Sequence, residues 1–236
     1  MTVRPGRRCF PGWLGSSIQM TTSVIATRTA KPRAVLAGLL LAVACGGGSP
    51  PRETAPAPTA PLPTTGLAGL KVVVYPLTLV AADDSLGWTA ALTPRRAALN
   101  RADSLVSETL TGRAPEVQWV LPPALRQVAR RAAPVAVDPD QMATSLLRGA
   151  RLTKLPDPLW GQMRSLTALA GERYALVPAS LVFRPAQDGG GRAELTMVLA
   201  NVRTGMIEWR TVANAVGADP WEALQGALKA LTPGLP

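Results

Sequence analysis

The chain has 236 residues, two cysteines, no histidine, and 25 basic against 15 acidic side chains, for a net charge of +10. The absence of histidine excludes Ser-His-Asp and Cys-His catalysis and zinc sites with histidine ligands. Residues 1–44 hold six of the basic side chains and no acidic one, so the remainder has a net charge of only +4. That value argues against a nucleic-acid partner.

An apolar run from Ala34 to Ala44 follows three basic residues and ends at Cys45. The run is eleven residues long, whereas a bilayer-spanning helix needs ~20, so it predicts a cleaved export signal. Leu41-Ala42-Val43-Ala44-Cys45 resembles the lipobox of a bacterial lipoprotein. We therefore expect a signal peptide over 1–44, with Met20 as the hypothesised true start, and a lipid on Cys45. Simple secretion after cleavage at Ala44 is the alternative.

Residues 46–66 contain six prolines and almost no large apolar side chain. This composition predicts a disordered linker over 45–69 that reaches up to roughly 60 Å from the lipid anchor. A single globular domain is expected over 70–236. Lipidation would consume Cys45, the last thiol of the processed chain, so no disulfide is expected.

Hydrophobic periodicity and turn signals define the elements of that domain. They are a strand over Leu70–Leu77, a helix over Pro94–Thr111, a strand over Glu116–Val120, a helix through Leu125, two helices that open at Asp138-Pro139 and Asp157-Pro158, three strands over Tyr174–Arg184, Arg192–Val202 and Met206–Val216, and a last helix after Asp219. The order predicts an α/β (α+β) fold. Its mixed sheet would carry a C-terminal antiparallel meander and be packed by helices into a two- or three-layer sandwich.

Two phrases, Leu169–Val177 and Leu199–Trp209, carry a family resemblance. They resemble a group of envelope domains that includes the lipoprotein CsgG, the penicillin-binding-protein activator LpoB and the TolB N-terminal domain. Asn201 stands where that group commonly has aspartate. The resemblance implies a non-enzymatic, protein-binding role, and the LpoB-like arrangement fits best because it combines a lipidated cysteine, a linker and one compact domain.

Three side chains are candidates for a partner surface: Trp88, Arg126 and Arg130. Tryptophan is common at interface hot spots, although Trp88 could instead fold back onto the core. Arginines at i and i+4 form a cationic face that suits an acidic partner or anionic headgroups, but a solvated helix face is the alternative.

The paired carboxylates Asp83 and Asp84 lack the further ligands that a divalent cation needs. We therefore predict no metal site, and no cofactor is indicated.

These observations predict a lipid-anchored cell-envelope protein that acts as a non-enzymatic scaffold or activator. Gly46, in place of aspartate after the cysteine, resembles the signal that sorts lipoproteins to the outer membrane. We therefore expect the protein on the periplasmic side of that membrane, attached through its lipid and bound to an envelope protein. A solute- or glycan-binding lipoprotein is the alternative. The partner's identity and the oligomeric state stay open.

Overall fold

A mixed six-stranded sheet organises the part of the chain that the structure, a computed structural model, describes: residues 58–133, 135–187 and 189–232. The signal segment and Cys45 lie outside these residues. The strands are β1 (Lys71–Val74), β2 (Val80–Ala82), β3 (Gln118–Val120), β4 (Tyr174–Pro185), β5 (Gly191–Asn201) and β6 (Met206–Gly217). The helices are α1 (Thr64–Leu67), α2 (Arg95–Arg113), α3 (Pro122–Arg131), α4 (Leu159–Leu169) and α5 (Pro220–Leu231).

The strand order is β3-β1-β4-β5-β6. β1 runs parallel to β3 and β4, and the three long strands form an antiparallel meander. β2 pairs with β4, as β1 does, but further along it, where Val80 pairs with Leu181. The predicted strand Leu70–Leu77 is cut short before Pro76, which has no N–H to donate to a ladder.

Alternate residues of each central strand feed two separate cores. Val72 and Val74 belong to the core beneath α2 and α5, whereas Val73 and Tyr75 belong to the core beneath α3 and α4. Helices therefore cover both faces of the sheet. The predicted fold class, a mixed sheet with a C-terminal meander packed by helices, is confirmed, and it takes the three-layer form.

The folded region begins earlier than the predicted linker boundary at residue 69. Leu62 is 5% exposed and Leu67 is 3% exposed, and both lie in the core with α2 and α5. The Leu62 N–H donates to the Leu231 carbonyl at 2.9 Å, and the Ala60 N–H donates to Thr211 Oγ1 at 2.8 Å. Two leucines among the prolines supply the apolar area that a disordered linker lacks. Residues 59–67, which we call the N-terminal arm, are thus part of the fold.

The two helix starts predicted at Asp-Pro pairs turn out differently. After Asp138 the chain makes only a short 3-10 turn, Pro139–Gln141, although the Asp138 carboxylate accepts the Asp140 N–H as a cap would. α4 forms as predicted, but no side chain caps it, since the backbone carbonyl of Pro156 accepts the Trp160 N–H instead. Local capping residues therefore predicted both starts, but only the second continues into an α-helix.

The last helix follows the sequence closely. The Asp219 carboxylate accepts the N–H groups of Trp221 and Glu222 at 2.8 and 3.0 Å, and Glu222 reaches back to the Ala218 N–H at 2.7 Å. This reciprocal arrangement is the capping box that the residues predict. Within the described residues, no helix has the length and apolar character required to cross a membrane.

Candidate functional site: a polar groove between α2 and α3

A groove of about 510 Å³ separates α2 from the start of α3. A second hollow of about 320 Å³ lies on the other side of Arg126 and reaches Arg130 and the Asp138–Asp140 turn. Arg96 and Arg126 border both hollows. The groove is lined mostly by polar side chains: Arg96, Asn100, Asp103, Ser104, Ser107, Glu108, Leu121, Pro123 and Arg126.

Four charged side chains form an ion-pair network at the floor shared by the groove and the second hollow. Arg126 donates from Nη2 to Asp103 Oδ2 at 2.6 Å and to Asp140 Oδ1 at 2.8 Å, and its Nε lies 3.0 Å from Asp140 Oδ2. Arg96 Nη2 donates to the same Asp140 oxygen at 2.8 Å. Arg126 therefore binds Asp140 in the bidentate geometry that suits a planar guanidinium.

The network also satisfies a backbone group that the sheet leaves unpaired. Beyond the break at Pro76, the Leu77 N–H turns to the second oxygen of Asp103, at 2.8 Å. Asp103 lies on the buried stripe of α2 and is 5% exposed. One carboxylate thus joins α2 to the end of β1, and Arg126 joins both to α3 and to the Asp140 turn.

Burial and charge act in opposite directions on these groups. Burial raises the pKa of Asp103 above the usual range, even though Leu77 and Arg126 donate hydrogen bonds to its ionised form. Burial also opposes ionisation of Asp140, but the hydrogen bonds from Arg126 and Arg96 outweigh it and lower its pKa. The Arg126 guanidinium, although partly desolvated, has a raised pKa because two carboxylates face it.

The structure places the three predicted surface residues in different surroundings. Arg126 has a side chain only 17% exposed and is committed to the network, so the expected free cationic face does not include it. Arg130 is exposed and borders the second hollow. Two arginines of α2 are also occupied: Arg95 donates to the Thr78 carbonyl, and Arg101 stacks on Trp221 at 4.5 Å.

Trp88 folds back onto the domain and is not an exposed anchor. Its ring meets Phe183 edge-on, with the centroids 5.4 Å apart. The indole also covers Gly191, where an added Cβ would lie 2.2 Å from the ring. Of the two interpretations left open by the sequence, packing on the core is therefore the one that the contacts support.

Of the adjacent carboxylates near Trp88, Asp83 stabilises the local turn. Asp83 accepts the N–H and hydroxyl of Ser85 at 3.0 and 2.6 Å. These hydrogen bonds lower the pKa of Asp83.

Sequence reasoning missed Asp103 and Asp140, which are the acidic half of the network. A usable signal was present for Asp103, because it interrupts the apolar stripe formed by Ala98, Ala102 and Val106. A carboxylate at such a position requires a partner, since charged groups are seldom buried without one. Asp140 had no comparable signal.

The arrangement so far defines a class: a three-layer α/β domain with a mixed sheet and a polar inter-helix groove. No family model matches the chain, and no curated protein sequence matches it. Among solved structures, the chain is similar to the C-terminal domain of LpoB from Salmonella enterica, with 16% identity over 64% of this chain and 84% of that one and a TM-score of 0.34.

It is also similar to PelC from Paraburkholderia phytofirmans, solved as a dodecamer, with 16% identity over 75% of this chain and 94% of that chain and a TM-score of 0.34. A third similar structure is the lipoprotein GNA1162 from Neisseria meningitidis, with 12% identity over 62% of this chain and 80% of that chain and a TM-score of 0.31. The resemblance to CsgG and TolB stays a prediction.

Proposed function

We propose that this chain is a lipid-anchored, non-enzymatic cell-envelope protein that binds another envelope protein through the groove between α2 and α3. Lipidation at Cys45 would hold it at the outer membrane, on the periplasmic side. The groove carries the proposal, because exposed polar side chains there line a concave surface built on two helices. Helices position contact residues more precisely than loops do.

The network under the groove supports a binding role. Asp103, Asp140, Arg96 and Arg126 neutralise one another by direct contacts of 2.6 to 3.1 Å. Groups paired in this way hold the floor rigid, and a preformed surface loses less entropy when a partner docks. The exposed side chains above the floor, such as Asn100, Ser104 and Glu108, remain available for contact.

The place where the chain enters the domain is also consistent with this role. The N-terminal arm meets the sheet at β6, through the bonds of Thr59 and Ala60 to Asn214 and Thr211. The groove lies by the opposite edge, because α3 packs on β1 and follows the edge strand β3. Strand spacings of ~4.8 Å separate the two edges of the five-strand path by roughly 19 Å. The point at which the described chain enters the domain therefore does not cover the groove.

Site-specific photo-crosslinking in intact envelopes tests the proposal. A benzophenone residue in place of Ser104, in the groove, is expected to give a discrete adduct with one envelope protein. The same residue in place of Gln225, which is exposed on α5, is the matched control. Equal adducts from both positions, or none from Ser104, would contradict a partner site in the groove.

The anchor has a separate test. Intact mass of the membrane-extracted protein is expected to show acyl chains on Cys45, and a Cys45→Ser chain is expected to be exported without them. If the Cys45→Ser chain stays in the membrane fraction through a high-salt wash as firmly as the wild type, the lipid is not the anchor.

A further inference from the structure

We infer that the β6 edge of the domain carries a docking surface for anionic phospholipid headgroups, which we call the basic edge. It consists of four exposed cations and three exposed apolar side chains: Arg148, Arg151, Lys154 and Arg203, with Leu146, Met206 and Val212. The inference rests on the proposed lipid anchor for its cellular setting. Its test does not depend on that anchor.

Backbone pairing brings these residues to one edge. Lys154 forms an antiparallel bridge with Met206 at the start of β6. The Ile207 N–H donates to the Thr153 carbonyl and the Leu155 N–H donates to the Gly205 carbonyl, at 2.9 and 2.8 Å. The segment that carries Arg148, Arg151 and Lys154 is therefore held along β6.

Further contacts extend this attachment in both directions. Arg210 of β6 donates to the Gly149 carbonyl, next to Arg148. The turn that carries Arg203 leads directly into β6, and its Gly205 lies under the Trp160 ring, where an added Cβ would be 2.9 Å from the ring. The basic edge is thus a fixed feature of the fold.

Its charge suits an anionic surface. Four exposed cations stand against two exposed acidic residues nearby, Glu208 on β6 and Asp157 ahead of α4. Unlike Arg96 and Arg126, none of these four cations lies within 4.0 Å of a carboxylate in the ion pairs formed among the described residues. Each cation held near an anionic membrane surface strengthens binding to it.

The apolar residues at the edge fit the same partner. Leu146 is 51% exposed, Met206 38% and Val212 39%. Cations interspersed with exposed aliphatic side chains are typical of surfaces that lie in the headgroup region, where stems and methyl groups enter the acyl boundary.

The entry point of the chain distinguishes a membrane from an acidic protein. The N-terminal arm reaches the sheet on β6 itself, at Thr211 and Asn214. Cys45 precedes Thr59 by only 14 residues. Fourteen residues reach up to roughly 45 Å when extended, so a lipid on Cys45 would raise the local concentration of headgroups around the β6 edge.

Vesicle co-sedimentation tests the inference with the chain from residue 45 onward carrying Cys45→Ser, so that no acyl chain contributes. Binding is expected to vesicles of phosphatidylethanolamine and phosphatidylglycerol, and to fall steeply as salt is raised. The double variant Arg151→Glu/Lys154→Glu is expected to lower the partition coefficient by roughly 30-fold or more. Arg131→Glu/Lys229→Glu changes the same charge at exposed positions away from the basic edge and is expected to bind like the parent.

Several outcomes would overturn the inference. They are the absence of binding, equal binding to vesicles of phosphatidylcholine alone, binding that resists salt, or equal losses in both double variants. Soluble polyglutamate that competes as well as the anionic vesicles would identify an acidic protein as the partner. Because these chains carry no lipid, failure here is distinct from failure of the crosslinking at Ser104 or of lipidation at Cys45.

Discussion

Replacement of Arg126 by methionine should strongly destabilise the domain. Methionine preserves most of the packing of the arginine stem but leaves Asp103 and Asp140 without their shared cation. The side chains of these two carboxylates are only 6% and 8% exposed. Removal of one partner of a buried ion pair costs about 3–5 kcal/mol, because the remaining charge is buried and uncompensated.

The lower end of that range applies here. Arg96 still contacts Asp140, and the Leu77 N–H still donates to Asp103. We therefore expect a loss of about 3 kcal/mol in the free energy of unfolding near neutral pH. Urea unfolding followed by tryptophan fluorescence measures it. Arg131→Met on the exposed side of the same helix is the matched control, with an expected change within about 0.5 kcal/mol.

The loss of unfolding free energy caused by Arg126→Met should be smaller in acid. Burial raises the pKa of Asp103 in the folded state, so ionisation of Asp103 costs stability as pH rises through that pKa. Loss of Arg126 raises the pKa of Asp103 further, because Arg126 favours the ionised form. The pKa of Asp140 is lowered, so Asp140 contributes stability that is present above its unfolded pKa and lost as pH falls through its folded pKa. Both effects make the defect of Arg126→Met largest near neutral pH and smaller near the usual aspartate pKa of about 3.9.

A second substitution separates charge from packing. Asn at position 103 still accepts the Leu77 N–H but carries no charge, so Asp103→Asn should restore part of the stability lost in Arg126→Met. A loss below about 1 kcal/mol in the single variant, a loss that does not depend on pH, or further destabilisation by Asp103→Asn would refute the reasoning.

Three further predictions concern the fold. Leu62→Ala should cost about 2 kcal/mol in urea unfolding if the N-terminal arm belongs to the domain, and a cost below about 0.5 kcal/mol would return residues up to 69 to the linker. Asp219→Ala, which removes the cap of α5, should cost about 1 kcal/mol, whereas Asp157→Ala should be nearly neutral because that carboxylate caps nothing; equal effects would contradict the assignment. Gly191→Ala should displace the Trp88 ring, 2.2 Å from the new Cβ, and so weaken the near-ultraviolet circular dichroism; an unchanged spectrum would mean that Trp88 is not held there.

Local pattern was sufficient for much of the fold. The three long strands of the meander and the capping box of α5 follow from alternation, glycine turns and the Asp219-Pro220-Trp221-Glu222 sequence. Each of these signals involves residues a few positions apart, so no tertiary information is needed to read them. At the Asp138-Pro139 turn, where Arg126 and Arg96 bind Asp140, the local signal predicted a longer helix than the one that forms.

By itself, the sequence determined the fold class, the meander and its final capped helix, because periodicity, caps and turns are properties of neighbouring residues. It also predicts the export signal and the lipid on Cys45, which lie outside the described residues. Only the tertiary structure decided the groove and the basic edge. Asp103 and Arg126 are 23 positions apart, and Ala60 and Thr211 are 151 apart. Such pairings exist only after the sheet has set which helices and loops are neighbours, so no local pattern encodes them.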